Sequence, residues 1–215
     1  MLNSDPTNWN IDKVQVHVGD VPLERIRLFP LPGTAVEEDA IRIDDHEDRL
    51  CELVDGVLVE KTLGCYDSVL AIYLGYLLIH LGDRPSGVVL GTSGPYWLLP
   101  GRMRMPDVSY ASWDRFPGRK LPDAPIPRMA PDLAVEILCD DNTEREMQLK
   151  LAEYFQAGTR VVWYIDPHDR TATIYTAVDQ ARKIDADGIL DGRDVLPGFT
   201  LRLGDLFARA EGPPQ

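Results

Sequence analysis

The sequence predicts a mixed α/β (α+β) fold in which helices pack around a single sheet, because short β-prone runs alternate with two strongly helical segments. The chain has 215 residues, of which 44% are apolar, enough for one buried core. Its 17 glycines and 17 prolines follow no fixed period, which is typical of many turns between short elements. We expect an N-terminal arm over 1–48, a main domain over 49–208 and a flexible tail over 209–215.

The N-terminal arm is rich in proline and acidic residues and has little hydrophobic periodicity. Within it, Val14, Val16 and Val18 alternate with other residues as they would in a short edge strand. The stretches 24–28 and 34–43 could each form a helix. We therefore expect the arm to contribute a strand and short helices outside the main domain.

A β-hairpin is predicted at 51–60, because two β-prone runs flank Asp55 and Gly56. This dipeptide supplies the positive φ angles of a type I′ turn. Past a break at 82–87, further strand-like runs are separated by glycine and proline. These runs are 88–90, 96–99, 105–111, 133–138, 160–165 and 171–175. The segment 116–131 is predicted to be a loop, because its prolines exclude regular helices and ladders.

Two longer helices are predicted from their capping residues and apolar positions. The first covers 69–79, is capped by Asp67 or Ser68, and is apolar on nearly every face. Such a helix must be central or lie in an oligomer interface, so we expect a homodimer. The second helix begins after Thr143, which has the spacing of a capping box, and ends at Gly158.

Net charge and hydropathy exclude several classes of protein. The formal charge of −13 counts against a protein that coats nucleic acid through its bulk surface. The segment 101–128 is nevertheless basic around Asp107, although taken alone this charge favours an ordinary solvated loop. The apolar run 69–81 is shorter than the ~20 residues that span a bilayer. The polar start lacks a secretory signal and the three cysteines lack disulfide or zinc spacing, so we expect a cytoplasmic protein with reduced thiols and no membrane contact.

Glu136 is the anomalous residue of the predicted strand 133–138, because every other residue in this run is apolar. An unpaired carboxylate is strongly unfavourable in such a position. Glu136 could pair with an arginine or lie exposed at a sheet edge. Alternatively it could bind a cation, since carboxylate oxygens are hard ligands suited to Mg²⁺.

Lys150 can lie beside Glu136. If the next helix runs back antiparallel to the strand, both residues lie about 10 Å from the connection, at ~3.3 Å per strand residue and ~1.5 Å per helix residue. Lys150 also flanks the apolar stripe of that helix and can reach toward the sheet. The alternative is a solvated lysine paired with Glu146 or Glu153.

Asp107 completes the candidate site, because it opens a strand after a basic stretch and can reach Glu136 from a neighbouring strand. Asp132 has the same Pro-Asp context, but on the strand of Glu136 it would lie about 13 Å away, too far to share a cation. We expect Asp107, Glu136 and Lys150 to converge within reach of one cation, roughly 4 to 7 Å apart, at the end of the sheet.

Six segments of the chain are CELVDGVLVE, PDV, PDLAVE, KLAEYFQAG, VWYIDP and LPGFT. In collinear order over about 49–208, they resemble the Uma2 family of putative restriction endonucleases, within the PD-(D/E)XK nuclease superfamily. The resemblance implies a restriction-endonuclease-like core, with a central mixed sheet flanked by helices. It matches Asp107 to the aspartate of the PD element and Glu136 to the (D/E) position.

The lysine of the superfamily pattern is displaced in this chain. Leu138 stands where the pattern has a lysine two residues after the acid. The family pattern places that lysine on the next helix, which here gives Lys150. A further acid at the start of the first long helix often joins such sites, and by resemblance the candidate is Asp67, with Glu60 behind it.

The resemblance implies a Mg²⁺-dependent or Mn²⁺-dependent endonuclease that hydrolyses DNA phosphodiester bonds. Asp107 and Glu136 would hold the cation, with the Ile137 carbonyl as an extra ligand, and Lys150 would orient water and stabilise developing charge. Against tight nucleic-acid binding, 139–142 reads Cys-Asp-Asp-Asn where the family has a Ser-Pro-Ser-like turn. The alternative is a noncatalytic oligomerising or protein-interaction module that retains the nuclease fold, favoured by the charge of −13 and the lack of a DNA-reading module.

Overall fold

The computed structural model describes residues 9–62, 64–80 and 86–211. Within these ranges the α-helices are α1 (Ile11–His17), α2 (Glu37–Glu47), α3 (Cys65–Ile79), α4 (Glu144–Ala157) and α5 (Leu203–Ala210). The strands are β1 (Cys51–Val54), β2 (Val57–Glu60), β3 (Gly87–Leu90), β4 (Tyr96–Leu99), β5 (Arg102–Arg104), β6 (Val108–Ser112), β7 (Leu133–Ile137), β8 (Val161–Asp166), β9 (Thr171–Ala177), β10 (Gln180–Ile184), β11 (Ile189–Asp191) and β12 (Thr200–Arg202). Most of the predicted break at 82–87 lies outside the described residues, as do 1–8 of the predicted arm and 212–215 of the predicted tail.

The predicted hairpin and the second predicted helix are confirmed. β1 and β2 pair antiparallel, and Asp55 and Gly56 at their turn have φ angles of 48° and 79°. At the start of α4, the Thr143 side chain accepts a hydrogen bond from the Glu146 N–H. At its end, Gly158 takes a left-handed conformation with φ of 98°. Local turn and capping chemistry therefore sets the bounds of these elements.

The mixed α/β class is confirmed, but the prediction of a single sheet is wrong. In the described ranges, a central six-stranded sheet has the order β10-β9-β8-β7-β6-β3, and a four-stranded sheet has the order β2-β1-β5-β4. β11 and β12 form a two-stranded ribbon. In the central sheet β7 and β8 are parallel, and the other neighbouring strands are antiparallel.

The second sheet exists because the predicted strand 105–111 is in fact two separate elements. β5 ends at Arg104 and β6 begins at Val108, with Pro106, which has no N–H to donate, between them. The tight turn at Gly101, with φ of 75°, folds β5 back onto β4, and β5 then pairs with β1. The basic stretch before Asp107 is therefore a strand of the smaller sheet.

The central sheet is covered on both faces, and alternation along β7 and β8 decides which residues face which helix. Leu133, Val135 and Ile137 belong to the core formed with α3 and α5. Ala134 belongs to the core on the opposite face, where α4 packs through Leu151 and Tyr154. This alternation places the side chain of residue 136 on the face covered by α4.

The prediction of an edge strand at 14–18 in the N-terminal segment is wrong. α1 is a helix whose N-cap Asn10 accepts a hydrogen bond from the Lys13 N–H. Val14 and Val18 are buried, whereas Val16 is 47% exposed. Valines two residues apart fit strand alternation, but the outer two also have the i, i+4 spacing of one helix face. Because Val14 and Val18 both pack against the core, the helix is the conformation that buries them together.

The remainder of the segment 9–48 packs on the smaller sheet. The stretch predicted at 24–28 is a short 3-10 helix, Leu23–Arg25, and α2 begins at Glu37, later than the predicted 34. A cluster of small apolar side chains joins this segment to the hairpin. Its members are Val14, Val18, Val21, Ile26, Val54, Val57 and Val59.

The first predicted helix is confirmed, but its predicted start is wrong: α3 begins at Cys65 instead of 69, and its N-cap is Gly64 instead of Asp67 or Ser68. Asp67 lies in the first turn, where its carboxylate accepts a hydrogen bond from the Gly64 N–H. Leu70, Leu74 and Leu78 are buried against the central sheet. Among the described residues, no helix has both the length and the apolar character needed to cross a membrane.

Candidate active site

Glu136 lies on β7, 4% exposed, and faces α4. Its Oε1 accepts a hydrogen bond of 2.6 Å from the Tyr154 hydroxyl, and the Lys150 Nζ lies 3.4 Å from Oε2 and 3.5 Å from Oε1. The Lys61 Nζ lies 3.9 Å from Oε2. The acid therefore neither pairs with an arginine nor lies at an exposed edge; two lysines and a tyrosine surround it.

Asp107 lies immediately before β6, whose Val108 pairs with Val135 on β7. Its Oδ2 accepts a hydrogen bond of 2.7 Å from the Ile137 N–H, and its own N–H donates to the Val135 carbonyl at 2.9 Å. Its Oδ1 lies 2.8 Å from the Lys61 Nζ but accepts no hydrogen bond of good geometry in the described part of the chain. The antiparallel register thus holds Asp107 next to the strand that carries Glu136.

Lys150 is buried on α4, not solvated as the alternative had it. Its Nζ lies 3.1 Å from Oε1 of Glu52 and 3.4 Å from Oε2 of Glu136. Glu146 and Glu153, its predicted solvent partners, instead pair with arginines at 2.7 and 2.6 Å. Lys150 on the helix lies beside Glu136 on the strand, as predicted. The Lys150 Nζ and the Glu136 Oε2 are closer than the expected 4 to 7 Å.

Sequence reasoning missed two residues of this cluster. Glu52 on β1 is 1% exposed, and its carboxylate contacts Lys150, the Arg104 guanidinium at 2.8 Å and the Met105 N–H at 3.1 Å. Its signal was the same as that of Glu136, a charged residue inside an apolar strand. Lys61 had no comparable signal, because it follows the strand β2 in a polar connection.

The additional acids predicted from the resemblance lie apart from Glu136. Glu60 pairs with Arg27 at 2.9 Å and Arg49 at 3.3 Å. Asp67 lies in the first turn of α3 and accepts a hydrogen bond from the Gly64 N–H, and its pKa is raised, first by burial and further by the nearby charges of Asp107 and Asp140. Among their described contacts, neither carboxylate touches Glu136.

Asp132 lies outside the cluster, as its predicted distance from Glu136 required. It accepts hydrogen bonds from the Arg115 Nε and the Ser112 N–H, both at 2.8 Å. These bonds give Asp132 a structural role at the start of β7.

Burial and attraction act in opposite directions on the charges of the cluster. Burial lowers the pKa of Lys150, but the negative charges of Glu136 and Glu52 together raise it by more, so the net shift of this pKa is upward. The pKa of Lys61 is raised in the same way by its two carboxylate neighbours. Burial raises the pKa of Glu52, yet Lys150 and Arg104 outweigh this and lower it, whereas for Glu136 burial dominates and raises the pKa. Both lysines are therefore cationic at neutral pH.

The donor set fits a hard divalent cation in its chemistry. Asp107 and Glu136 present carboxylate oxygens that approach a common point, and Oδ1 of Asp107 lacks a hydrogen bond. Within the described residues, however, no three acidic, cysteine or histidine side chains gather around one position. The point between the two carboxylates is held by the ammonium of Lys61.

Comparison with known proteins identifies a family and a shared fold. Residues 37–204 match the family model Uma2, described as putative restriction endonuclease. The structure is similar to the crystal structure of a putative nuclease belonging to DUF820 from Anabaena variabilis, with a TM-score of 0.67 and 19% identity, over 76% of this chain and 92% of that chain. No curated protein matches the sequence.

Proposed function

Because this chain belongs to the Uma2 family of putative restriction endonucleases, we propose that it is a cytoplasmic endonuclease of the PD-(D/E)XK type that hydrolyses DNA phosphodiester bonds with Mg²⁺ or Mn²⁺. One observation carries the proposal. Asp107 and Glu136, from neighbouring strands, approach one point, and Lys150 contacts Glu136 from the covering helix. Two acids and a lysine in this arrangement suit phosphoryl transfer, which depends on positioning and charge stabilisation.

Each residue of the cluster has a distinct task in this mechanism. Asp107 and Glu136 would hold the metal, with the Ile137 carbonyl as a further oxygen ligand. A bound divalent cation would polarise the scissile phosphate and lower the pKa of a bound water. Lys150 stays protonated beside Glu136 and would orient the attacking water and stabilise charge that develops on the phosphate.

Two further groups position the lysine and the acid of the site without touching the substrate. Glu52, which is 1% exposed, contacts the Lys150 ammonium from the smaller sheet. The Tyr154 hydroxyl donates to Oε1 of Glu136. Fixing the lysine and the acid in this way reduces the reorganisation needed at the moment of reaction.

A cleavage assay on mixed DNA substrates with Mg²⁺ or Mn²⁺ tests the proposal. Glu136→Gln should abolish cleavage, and Lys150→Met should lower the rate while leaving metal affinity roughly unchanged. Glu144→Gln is the matched control, because Glu144 is an exposed acid on the same helix as Lys150. Wild-type protein that binds Mn²⁺ yet cleaves no DNA, single-stranded or double-stranded, would exclude the endonuclease.

The noncatalytic alternative is favoured by one observation, the ammonium of Lys61 between the two carboxylates. A cation supplied by the chain stabilises the acids without any metal. In that case the protein would keep the nuclease fold for oligomerisation or for a protein partner. Metal-independent folding together with the absence of cleavage would support this function.

We also propose that the protein forms a homodimer through α3. Val69, Ile72, Tyr76 and Ile79 follow one another at spacings of three or four residues and are each at least 42% exposed. They form an apolar stripe on the side of the helix away from the central sheet. A second copy of the same helix could cover this stripe in a two-fold interface.

A further inference from the structure

We propose that Lys61 is a tethered cation that competes with the divalent metal for Asp107 and Glu136, so that the metal enters only when the lysine side chain leaves. The inference rests on the metal site of the proposed function. It adds a residue that controls metal occupancy.

The position of the Lys61 ammonium is the first argument for this competition. The Lys61 Nζ lies 2.8 Å from Oδ1 of Asp107 and 3.9 Å from Oε2 of Glu136, and it donates to the Met105 carbonyl at 2.5 Å. Mg²⁺ binds its oxygen ligands at about 2.0–2.1 Å and demands nearly octahedral geometry. A metal bound to both carboxylates would have to stand where the ammonium is, so the two cations exclude each other.

Charge balance explains why the ammonium occupies this position. Asp107 is 2% exposed and Glu136 4% exposed, and two buried carboxylates facing each other are strongly unfavourable without a cation. Oδ1 of Asp107 has no hydrogen bond among the described groups, so its ion pair with Lys61 is its main compensation. The lysine thus stabilises the metal-free protein at the position where the metal would do so.

Of the two lysines at the site, Lys61 is the one that can leave. Lys150 is held by Glu52 as well as by Glu136, and therefore keeps a partner if Glu136 turns to a metal. The ion pairs of Lys61 are with the two proposed metal ligands themselves. Lys61 lies in the connection between β2 and α3, and although its side chain is only 7% exposed, its flexible stem can turn outward from this connection.

Metal binding to Lys61→Met tests the proposal, because methionine keeps an unbranched stem and removes the charge. Its Mn²⁺ affinity, measured by calorimetry, should exceed that of wild type by about tenfold or more, since apparent affinity falls with the fraction of time the site is closed. Without metal the variant should melt at a lower temperature, and Mn²⁺ should raise its melting temperature more than that of wild type. Lys183→Met, at an exposed lysine of β10, is the control and should match wild type.

A second measurement uses the wild-type chain and needs no variant. Labelling of Lys61 with an amine-reactive reagent, read by mass spectrometry, should increase when Mg²⁺ or Mn²⁺ is added, because the metal expels the ammonium. Unchanged labelling at a metal concentration that saturates the site overturns the proposal. The same conclusion follows if Lys61→Met binds Mn²⁺ no more tightly than wild type, or if neither protein binds it.

These outcomes separate the inference from the proposed function. Tighter Mn²⁺ binding by Lys61→Met than by wild type, without DNA cleavage by either protein, supports the competition and counts against the nuclease. Metal-dependent cleavage by wild type with unchanged Mn²⁺ affinity in Lys61→Met supports the nuclease and overturns the competition.

Discussion

The ammonium of Lys150 lies 3.1 Å from Oε1 of Glu52, closer than the 3.4 Å that separates it from Oε2 of Glu136. Glu52 belongs to the smaller sheet and Glu136 to the central one, so the lysine joins the two sheets through α4. The site is therefore built at the junction of the sheets, and residues of both are needed to hold it.

Lowering the pH should destabilise the fold, because protonation of Glu52 removes its charge beside Lys150 and Arg104. Burial raises the pKa of this carboxyl, but Lys150 and Arg104 lower it below its usual range. A folded-state pKa below the unfolded value means that the stabilisation is present above about pH 4.3, the usual glutamate value, and is lost as the pH falls toward the folded value. Urea unfolding from pH 7 to pH 3 should show Glu52→Gln less stable at pH 7 and less sensitive to acid. The exposed variant Glu144→Gln should follow wild type; parallel profiles for Glu52→Gln and wild type would contradict the assignment.

The pairing of Arg25 with Glu146 should anchor the N-terminal segment to α4. The two side chains are 5% and 1% exposed and form a bidentate pair at 2.7 and 2.9 Å. Arg25→Met should lower the free energy of unfolding by about 3–5 kcal/mol, because it leaves a buried carboxylate unpaired. Arg25→Met combined with Glu146→Met should recover part of this loss.

The control for that pair is an exposed one in the same segment. Arg42 is 61% exposed and pairs with Asp39 at 2.7 Å, so Arg42→Met should cost about 0–1 kcal/mol. Equal costs for Arg25→Met and Arg42→Met in denaturant unfolding would show that burial of the first pair does not matter.

Tyr154→Phe should affect both stability and activity. The hydroxyl donates at 2.6 Å to the Glu136 carboxylate, which lies beside the Lys150 and Lys61 ammonium groups, and hydrogen bonds to charged groups contribute about 1.5–3 kcal/mol. Tyr164→Phe is a matched control, because that hydroxyl donates at 2.7 Å to the neutral Met147 carbonyl, where about 0.5–1.5 kcal/mol is expected. Cleavage should fall only in Tyr154→Phe. The role of Tyr154 at the site is wrong if both variants retain full cleavage.

The homodimer should depend on the exposed stripe of α3. Ile72 is 75% exposed at its centre, and Ile72→Glu should convert the protein to a monomer by placing a charge in the interface. Sedimentation at micromolar concentration measures the mass. Leu121→Glu changes a 49% exposed leucine outside the helix and should leave the dimer intact. A monomeric wild-type protein would remove the proposal.

Local rules were sufficient for several parts of the site. Asp55 and Gly56 specified the hairpin turn, and Thr143 and Gly158 specified the ends of α4. Strand alternation and helix rise then placed Lys150 level with Glu136. These predictions succeeded because each depends on residues that lie within one or two adjacent elements.

Tertiary packing decided the rest. The valines of α1 fitted a strand or a helix equally well until Val14 and Val18 were buried on the hairpin. Likewise, Glu52 and Lys61 join the site only through partners distant in the sequence, Glu52 through Lys150 on α4 and Lys61 through Asp107. The sequence by itself determined the hairpin of β1 and β2, the ends of α4 and which acid is anomalous. Only the tertiary structure decided which charges neutralise that acid, because burial makes pairing obligatory, whereas the choice of partner depends on distances between segments that periodicity does not encode.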